Sequence, residues 1–250
     1  MNAVGIIPAR YGSTRFEAKV LANILGKPMI QHVWEGAKKS KLLTDLIIAC
    51  DDERIKEAAK TFGAKVVMTS RDHVSGSDRV IEAVNALDLK ADVVLNIQGD
   101  EPLVHHAMID DMIRVFMTDK NCMMATVIKA LDDANELDDP NVVKVVVDKE
   151  KNALYFSRSA IPYNRSKMDL NEIGYYKHLG LYAYEREFLL NFKHLPKSRL
   201  EKTEQLEQLR VLEAGYKIKT VETTFITFAV DTKEDLEKVE EFLRATGRHG

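Results

Sequence analysis

An α/β fold, with a mainly parallel central sheet and an inserted mixed β layer, is what the sequence predicts. Two observations predict the sheet and a third predicts the insertion. Up to about residue 120, short runs that are apolar at every position alternate with segments of helical period. Such runs suit strands covered on both faces, as in a parallel sheet flanked by helices. After residue 120 the alternation stops, and strand-like runs follow one another with little helix between them. A single domain over 1–250, with the insertion at roughly 120–195, accounts for this rhythm.

In order, AVGII reads as the first strand, and KPMIQHVWEGAKKS as a helix with Met29, Ile30, Val33 and Ala37 on one face. DLIIAC is a strand. DDERIKEAAKTFG is a helix, with Asp51 or Asp52 near its start and Gly63 as its stop. AKVVMT, SDRVIEAVNAL and ADVVLNI read as strand, helix and strand. In the insertion, CMMATVIKAL, NVVKVVVDKE, ALYFSRSAI and HLGLYAYERE read as strands. EKTEQLEQLRVLEAGYK returns to helix, stopping at Gly215. FAVDTKEDLEKVEEFLRA is a strand, a turn, and a helix with Leu236, Val239 and Leu243 inward. Right-handed crossovers would gather the strand-to-helix loops on one sheet edge, where folds of this class bind ligands. IPARYGSTR and NIQGDEP both fall on that edge.

The composition sets limits on function. With 36 basic and 39 acidic side chains the net charge is −3, so no basic field invites nucleic acid. No apolar run approaches eighteen residues and no signal segment is visible, so a cytoplasmic protein without membrane insertion is expected. Cys50 and Cys122 are far apart, without C-x-x-C spacing, and read as buried small hydrophobes. Met108, Met112, Met117, Met123 and Met124 read as core residues, and His105 and His106 as surface residues at a helix start.

The loop after the first strand carries Arg10, Arg15 and Lys19 among small donor residues. Guanidinium groups and successive N–H groups bind phosphate oxygens, so a polyphosphate fits; a solvated basic loop is the alternative. Neither a Walker loop nor G-x-G-x-x-G is present. Asp100 follows an apolar strand and could hold magnesium, which takes one or two carboxylates with phosphate oxygens, or could simply be a turn residue. Asp231, after Phe228–Val230, has the same two readings, its ordinary role being a helix cap. Arg158, His178 and Gln208 could bind a polar, anionic co-substrate. They could equally be a strand-edge arginine, a satisfied histidine and part of a solvated helix face.

Taken together and in order, IPARYGSTR with Lys19, LGKPMIQHV, TSRDHVSGSDRV, NIQGDEP, ALYFSRSAIPY, KHLGLYAY, LEQLRVLEAGYKI and VDTKEDL resemble the 3-deoxy-manno-octulosonate cytidylyltransferase (CMP-Kdo synthetase) family. The resemblance implies a Rossmann-like nucleotide-diphospho-sugar transferase fold, and a homodimer in which the β layer helps form the interface. It implies transfer of CMP from CTP to 3-deoxy-D-manno-octulosonate (Kdo) with magnesium, giving pyrophosphate and CMP-Kdo for lipopolysaccharide. Pro8, Ala9 and Arg10 would then lie against the nucleotide, and Arg15 and Lys19 on its phosphates. Arg71, Ser75 and Gly76 would line the cytosine pocket with Gln98. Asp100 and Asp231 would hold the metal and, with Lys19, form the catalytic set. Arg158, His178, Tyr182, Glu207 and Gln208 would face the sugar acid. The 8-amino analogue of the acid, a sialic acid, or a catalytically silent nucleotide-binding regulator are the alternatives. One departure is visible. Where many members read L-P-G-K-P, this chain reads Phe16-Glu17-Ala18-Lys19-Val20.

Overall fold

β1 (Ala3–Ala9) is buried along its length except at Pro8, as a strand apolar on both faces must be when it lies inside a sheet. In this computed structural model, which describes residues 1–12 and 16–247, the chain forms two compact units. The first comprises Met1–Ile113 and the C-terminal segment from Ile226; the second is Arg114–Phe225, inserted between them.

In the first unit the chain runs from β1 through a small hairpin, β2 (Asn23–Ile24) and β3 (Lys27–Pro28), into α1 (Met29–Lys38). Next come β4 (Asp45–Cys50), α2 (Glu53–Thr61), β5 (Lys65–Met68), α3 (Gly76–Ala86) and β6 (Val93–Asn96). β1 lies parallel to both β4 and β6, and β4 parallel to β5, giving the order β6-β1-β4-β5. The helices start where side chains can receive orphan N–H groups. Asp52 caps α2 by accepting from Arg54 N, and Ser75 caps α3 by accepting from Asp78 N.

α4 (His106–Thr118) leads into the second unit. There the order is β7 (Met124–Ala130), α5 (Ala134–Asp138), β8 (Lys144–Val147), β9 (Ala153–Ser157), α6 (Leu170–Ile173) and β10 (Tyr176–Glu185). It continues through α7 (Arg186–Phe192), α8 (Arg199–Glu204), α9 (Leu209–Glu213) and β11 (Lys219–Thr223). β10 is antiparallel to both β7 and β8, β8 is antiparallel to β9, and β11 is parallel to β7. α10 (Lys233–Thr246) then packs in the first unit, where Val239 and Leu243 join Ile24, Met29, Leu103 and Val230 in one core cluster.

Several sequence expectations change. EKTEQLEQLRVLEAGYK is two short helices, because Gln205 closes α8 in the left-handed conformation at φ 55°. β11 (KTVET) is a strand that the sequence pattern leaves unmarked, since its polar alternation does not stand out beside the apolar runs. Phe228–Val230 is not a strand; there Val230 N donates to Asp100 O at 2.9 Å. Met108, Met112 and Met124 are core, whereas Met117 and Met123 are exposed. Met117 lies five residues beyond Met112 and so turns off the buried face of α4. His105 and His106 are half-buried rather than on the surface, their rings 4.3 Å apart. Among the described residues no helix is long and apolar enough to cross a membrane.

Candidate active site

Beyond β1 the chain leaves the sheet at Arg10, and Tyr11 is tied down at once. Its N–H donates to Asp51 Oδ1 at 2.8 Å, its carbonyl accepts from Ala18 N at 3.0 Å, and the Arg54 guanidinium stacks 3.4 Å from its ring centroid. The loop is thereby closed from Tyr11 to Ala18. Arg15 lies outside the described residues.

Ala18 has φ 55° and ψ 26°, left-handed backbone that a Cβ disfavours. This is the position where many members of the resembling family carry glycine. Ala18→Gly is therefore expected to stabilise the chain by about 1 kcal/mol, raising Tm by roughly 2–4 °C. An unchanged or lower Tm in a melting experiment would count against strain at this position.

Lys19 follows directly, in a short 3₁₀ turn, and is only 9% exposed. Its Nζ donates to Asp100 Oδ2 at 2.7 Å and to Asp231 Oδ1 at 2.9 Å. Burial, the largest influence, pulls its pKa down, but Asp100 and Asp231 together outweigh it and leave it above the ordinary lysine value. Asp100 reaches this point because Gly99 lets two backbones approach: a Cβ there would stand 2.8 Å from Pro8 O. Asp231 is not the cap of α10. Thr232 is, in a capping box with Asp235, and the Asp231 carboxylate turns to Lys19.

The neighbouring Glu101 carries a buried Oε2 without a partner, and burial followed by the Asp100 charge pushes its carboxyl up to about 8. Asp100 and Asp231 already converge on one cation, the Lys19 ammonium, so a small hard cation fits the same donors. Among the described residues no group of three or more His, Cys, Asp or Glu could hold a metal ion. Two carboxylates completed by phosphate oxygens and water are the donor set magnesium accepts.

Lys19, Asp100 and Asp231 line a cleft of about 380 Å³. Of the residues expected at the nucleotide, Pro8, Arg10, Lys19, Ser75, Gly76 and Gln98 line it, as do Asp100 and Asp231. Ala9 is buried at the end of β1 and does not line it. Nor does Arg71, whose Nε donates to Asp51 O at 3.0 Å and whose fork pairs with Asp52 at 2.9 Å.

In the second unit, the structure brings His178, Tyr182 and Glu207 together. His178 Nε2 lies 2.9 Å from Thr126 Oγ1, with its ring edge-on to Phe156 and 5.4 Å from Tyr182. Burial pushes the imidazole down to about 3, so it is neutral. The Tyr182 hydroxyl is pushed up by burial and then by the Glu207 charge. Gln208 is 4% exposed, and its Nε2 is buried without a partner. Arg158 is engaged otherwise. Nε donates to Glu204 O and Nη1 to Pro140 O, each at 2.8 Å, so its fork ties down the end of α8.

A cytidylyltransferase family model matches residues 4–221. The chain belongs to the cytidylyltransferase family. It is 49% identical to a 3-deoxy-manno-octulosonate cytidylyltransferase of Solibacter usitatus, over 97% of this chain and 95% of that protein. It is 52% identical to an 8-amino-3,8-dideoxy-manno-octulosonate cytidylyltransferase of Shewanella sediminis, over 94% and 96%. A solved CMP:2-keto-3-deoxy-manno-octonic acid synthetase complexed with CTP superposes with a TM-score of 0.92 at 42% identity, covering 98% and 100% of the two chains.

Sequence reading missed three residues that line the cytidylyltransferase cleft or brace it. Arg79 lines the cleft and is 3% exposed; it donates to Asp51 Oδ2 at 2.9 Å and to Thr69 and Ser70. Asp51, read only as a helix start, joins Arg79 to Tyr11 N. His73 also lines the cleft and pairs with Glu82. A signal for Arg79 was present: it sits among the buried Val80, Ile81, Ala83 and Val84 of α3, where a charge needs a partner.

Proposed function

We propose that this cytidylyltransferase transfers CMP from CTP to the anomeric C2 hydroxyl of 3-deoxy-D-manno-octulosonate, releasing pyrophosphate. The observation that carries the reading is the meeting of Lys19 with Asp100 and Asp231 on the wall of a nucleotide-sized cleft. Arg10 and Lys19 hold spectator phosphates, and Arg15 is assigned the same role. Ser75, Gly76 and Gln98 read the base, with Pro8 and Ala9 beside it. Arg71 acts at the base through the Asp51–Asp52 turn it braces. The acceptor hydroxyl displaces pyrophosphate in line, and no covalent enzyme intermediate is required. Magnesium, held by Asp100 and Asp231 with phosphate oxygens, would supply charge neutralisation at the reacting phosphorus. His178, Tyr182, Glu207 and Gln208 take the sugar acid, Gln208 through its unpartnered amide. Arg158 supports them by fixing the α8 terminus. A cytoplasmic homodimer serving lipopolysaccharide assembly completes the proposal.

A second reading has its own support in the Shewanella sediminis relative: the acceptor is the 8-amino analogue. Pyrophosphate release measured with CTP against 3-deoxy-octulosonate, its 8-amino analogue and a sialic acid decides. The expected result is highest kcat/KM with the first, and little activity when ATP or GTP replaces CTP. A site built to hydrogen-bond one base leaves buried groups unpaired with another. Preference for the amino sugar would establish the second reading, and silence with every acid would leave a nucleotide binder.

A further inference from the structure

Lys19 is the cation held between Asp100 and Asp231. Its ammonium takes one oxygen from each carboxylate, at 2.7 and 2.9 Å, and the lysine lies deeper than either acid. Side-chain exposure is 11% for Lys19, against 32% for Asp100 and 41% for Asp231. A divalent ion arriving from solvent therefore meets a pair that already shares an internal cation.

We propose that Lys19 is the resident counter-cation of the Asp100–Asp231 pair and yields that place only when nucleotide arrives, so that metal entry is coupled to CTP binding. This rests on the magnesium reading proposed above. Asp100 and Asp231 are the acids among the described residues that line the cleft. Among the described residues that line the cleft there is no third carboxylate to which the Lys19 ammonium could move. The polyphosphate of CTP offers it an anion, withdrawing the ammonium from both carboxylates and bringing phosphate oxygens that would complete the metal's shell. Coupling of this kind is reciprocal: nucleotide tightens metal, and metal tightens nucleotide by the same factor. Position also separates Lys19 from Arg10, which lines the same cleft but holds neither carboxylate.

Manganese binding to the full chain, followed by electron paramagnetic resonance and corrected for binding to CTP alone, tests the coupling. In nucleotide-free protein, Lys19→Met is expected to bind manganese roughly 5- to 150-fold more tightly than the unmodified chain. Lys19→Gln, a second neutral variant that can still donate to one carboxylate, should move in the same direction if Lys19→Met does not fold. Arg10→Gln, which removes an equal charge from the same cleft, should gain much less. An equal gain in Arg10→Gln would reduce the effect to a general field, and no gain in either Lys19 variant would overturn the proposal. The underlying metal reading fails separately, if the unmodified chain with CTP binds no more manganese than CTP does by itself.

Discussion

Asp100→Asn is expected to lower turnover by roughly a hundred- to a thousandfold, the cost typical of removing one group that stabilises transition-state charge. The folded chain should survive. Asp100 is on the cleft wall, partly exposed, and the backbone bond that its carbonyl accepts from Val230 N is untouched by the change. What goes is half of a carboxylate pair, and with it one of the two anions around Lys19. Thermal melting and pyrophosphate release under limiting magnesium check the two halves of the statement. Near-normal turnover with little magnesium would remove Asp100 from the metal. Asp231→Asn should lose turnover similarly, and because Thr232 rather than Asp231 caps α10, Tm should change little.

The largest loss of stability is expected at Asp51. Asp51→Asn keeps the shape and an acceptor for Tyr11 N, but leaves the Arg79 guanidinium, 3% exposed, without its counter-charge. Breaking a buried pair from one side costs about 3–5 kcal/mol, because the remaining charge has been taken out of water with nothing to balance it. For a chain of this size that is a fall in Tm of roughly 6–20 °C. Replacing both partners, as in Asp51→Asn with Arg79→Met, should recover much of the loss, since two neutral groups no longer carry a buried charge. A single-variant loss below about 1 kcal/mol in urea titration would place the pair in solvent-like surroundings instead. Asp51 also joins the start of the phosphate loop to α3. The KM for CTP should therefore rise even at temperatures where the variant is fully folded.

What was legible in the sequence was whatever depends on neighbours along the chain. AVGII, LIIAC and VVL are apolar at consecutive positions, as strands covered on both faces are, and KVVM of the half-exposed strand β5 is marked by its apolar run; hence the parallel half was readable in order. The failures have equally local causes. KTVET mixes polar and apolar residues in too short a run to mark β11, and Gln205 breaks one helical period into two helices through a φ that no side-chain pattern announces. Within the site, the residue types and their order along the chain marked Arg10, Lys19, Asp100 and Asp231 as candidates, and the ordered motifs pointed to the family. Pairing was a different matter. Lys19 lies 81 residues from Asp100 and 212 from Asp231, and Arg79 lies 28 from Asp51. Nothing in a sequence sets which charge meets which, because partnership depends on the strand order β6-β1-β4-β5 bringing distant loop ends to one edge. Tertiary structure alone therefore decided that Lys19 is held between the two acids, that Asp51 pairs with Arg79 rather than capping a helix, and that Arg71 and Arg158 spend their forks on the backbone and on Asp52. For Lys19 and for the Asp51–Arg79 pair the outcome follows from one requirement: a charge removed from water must find a partner in the fold.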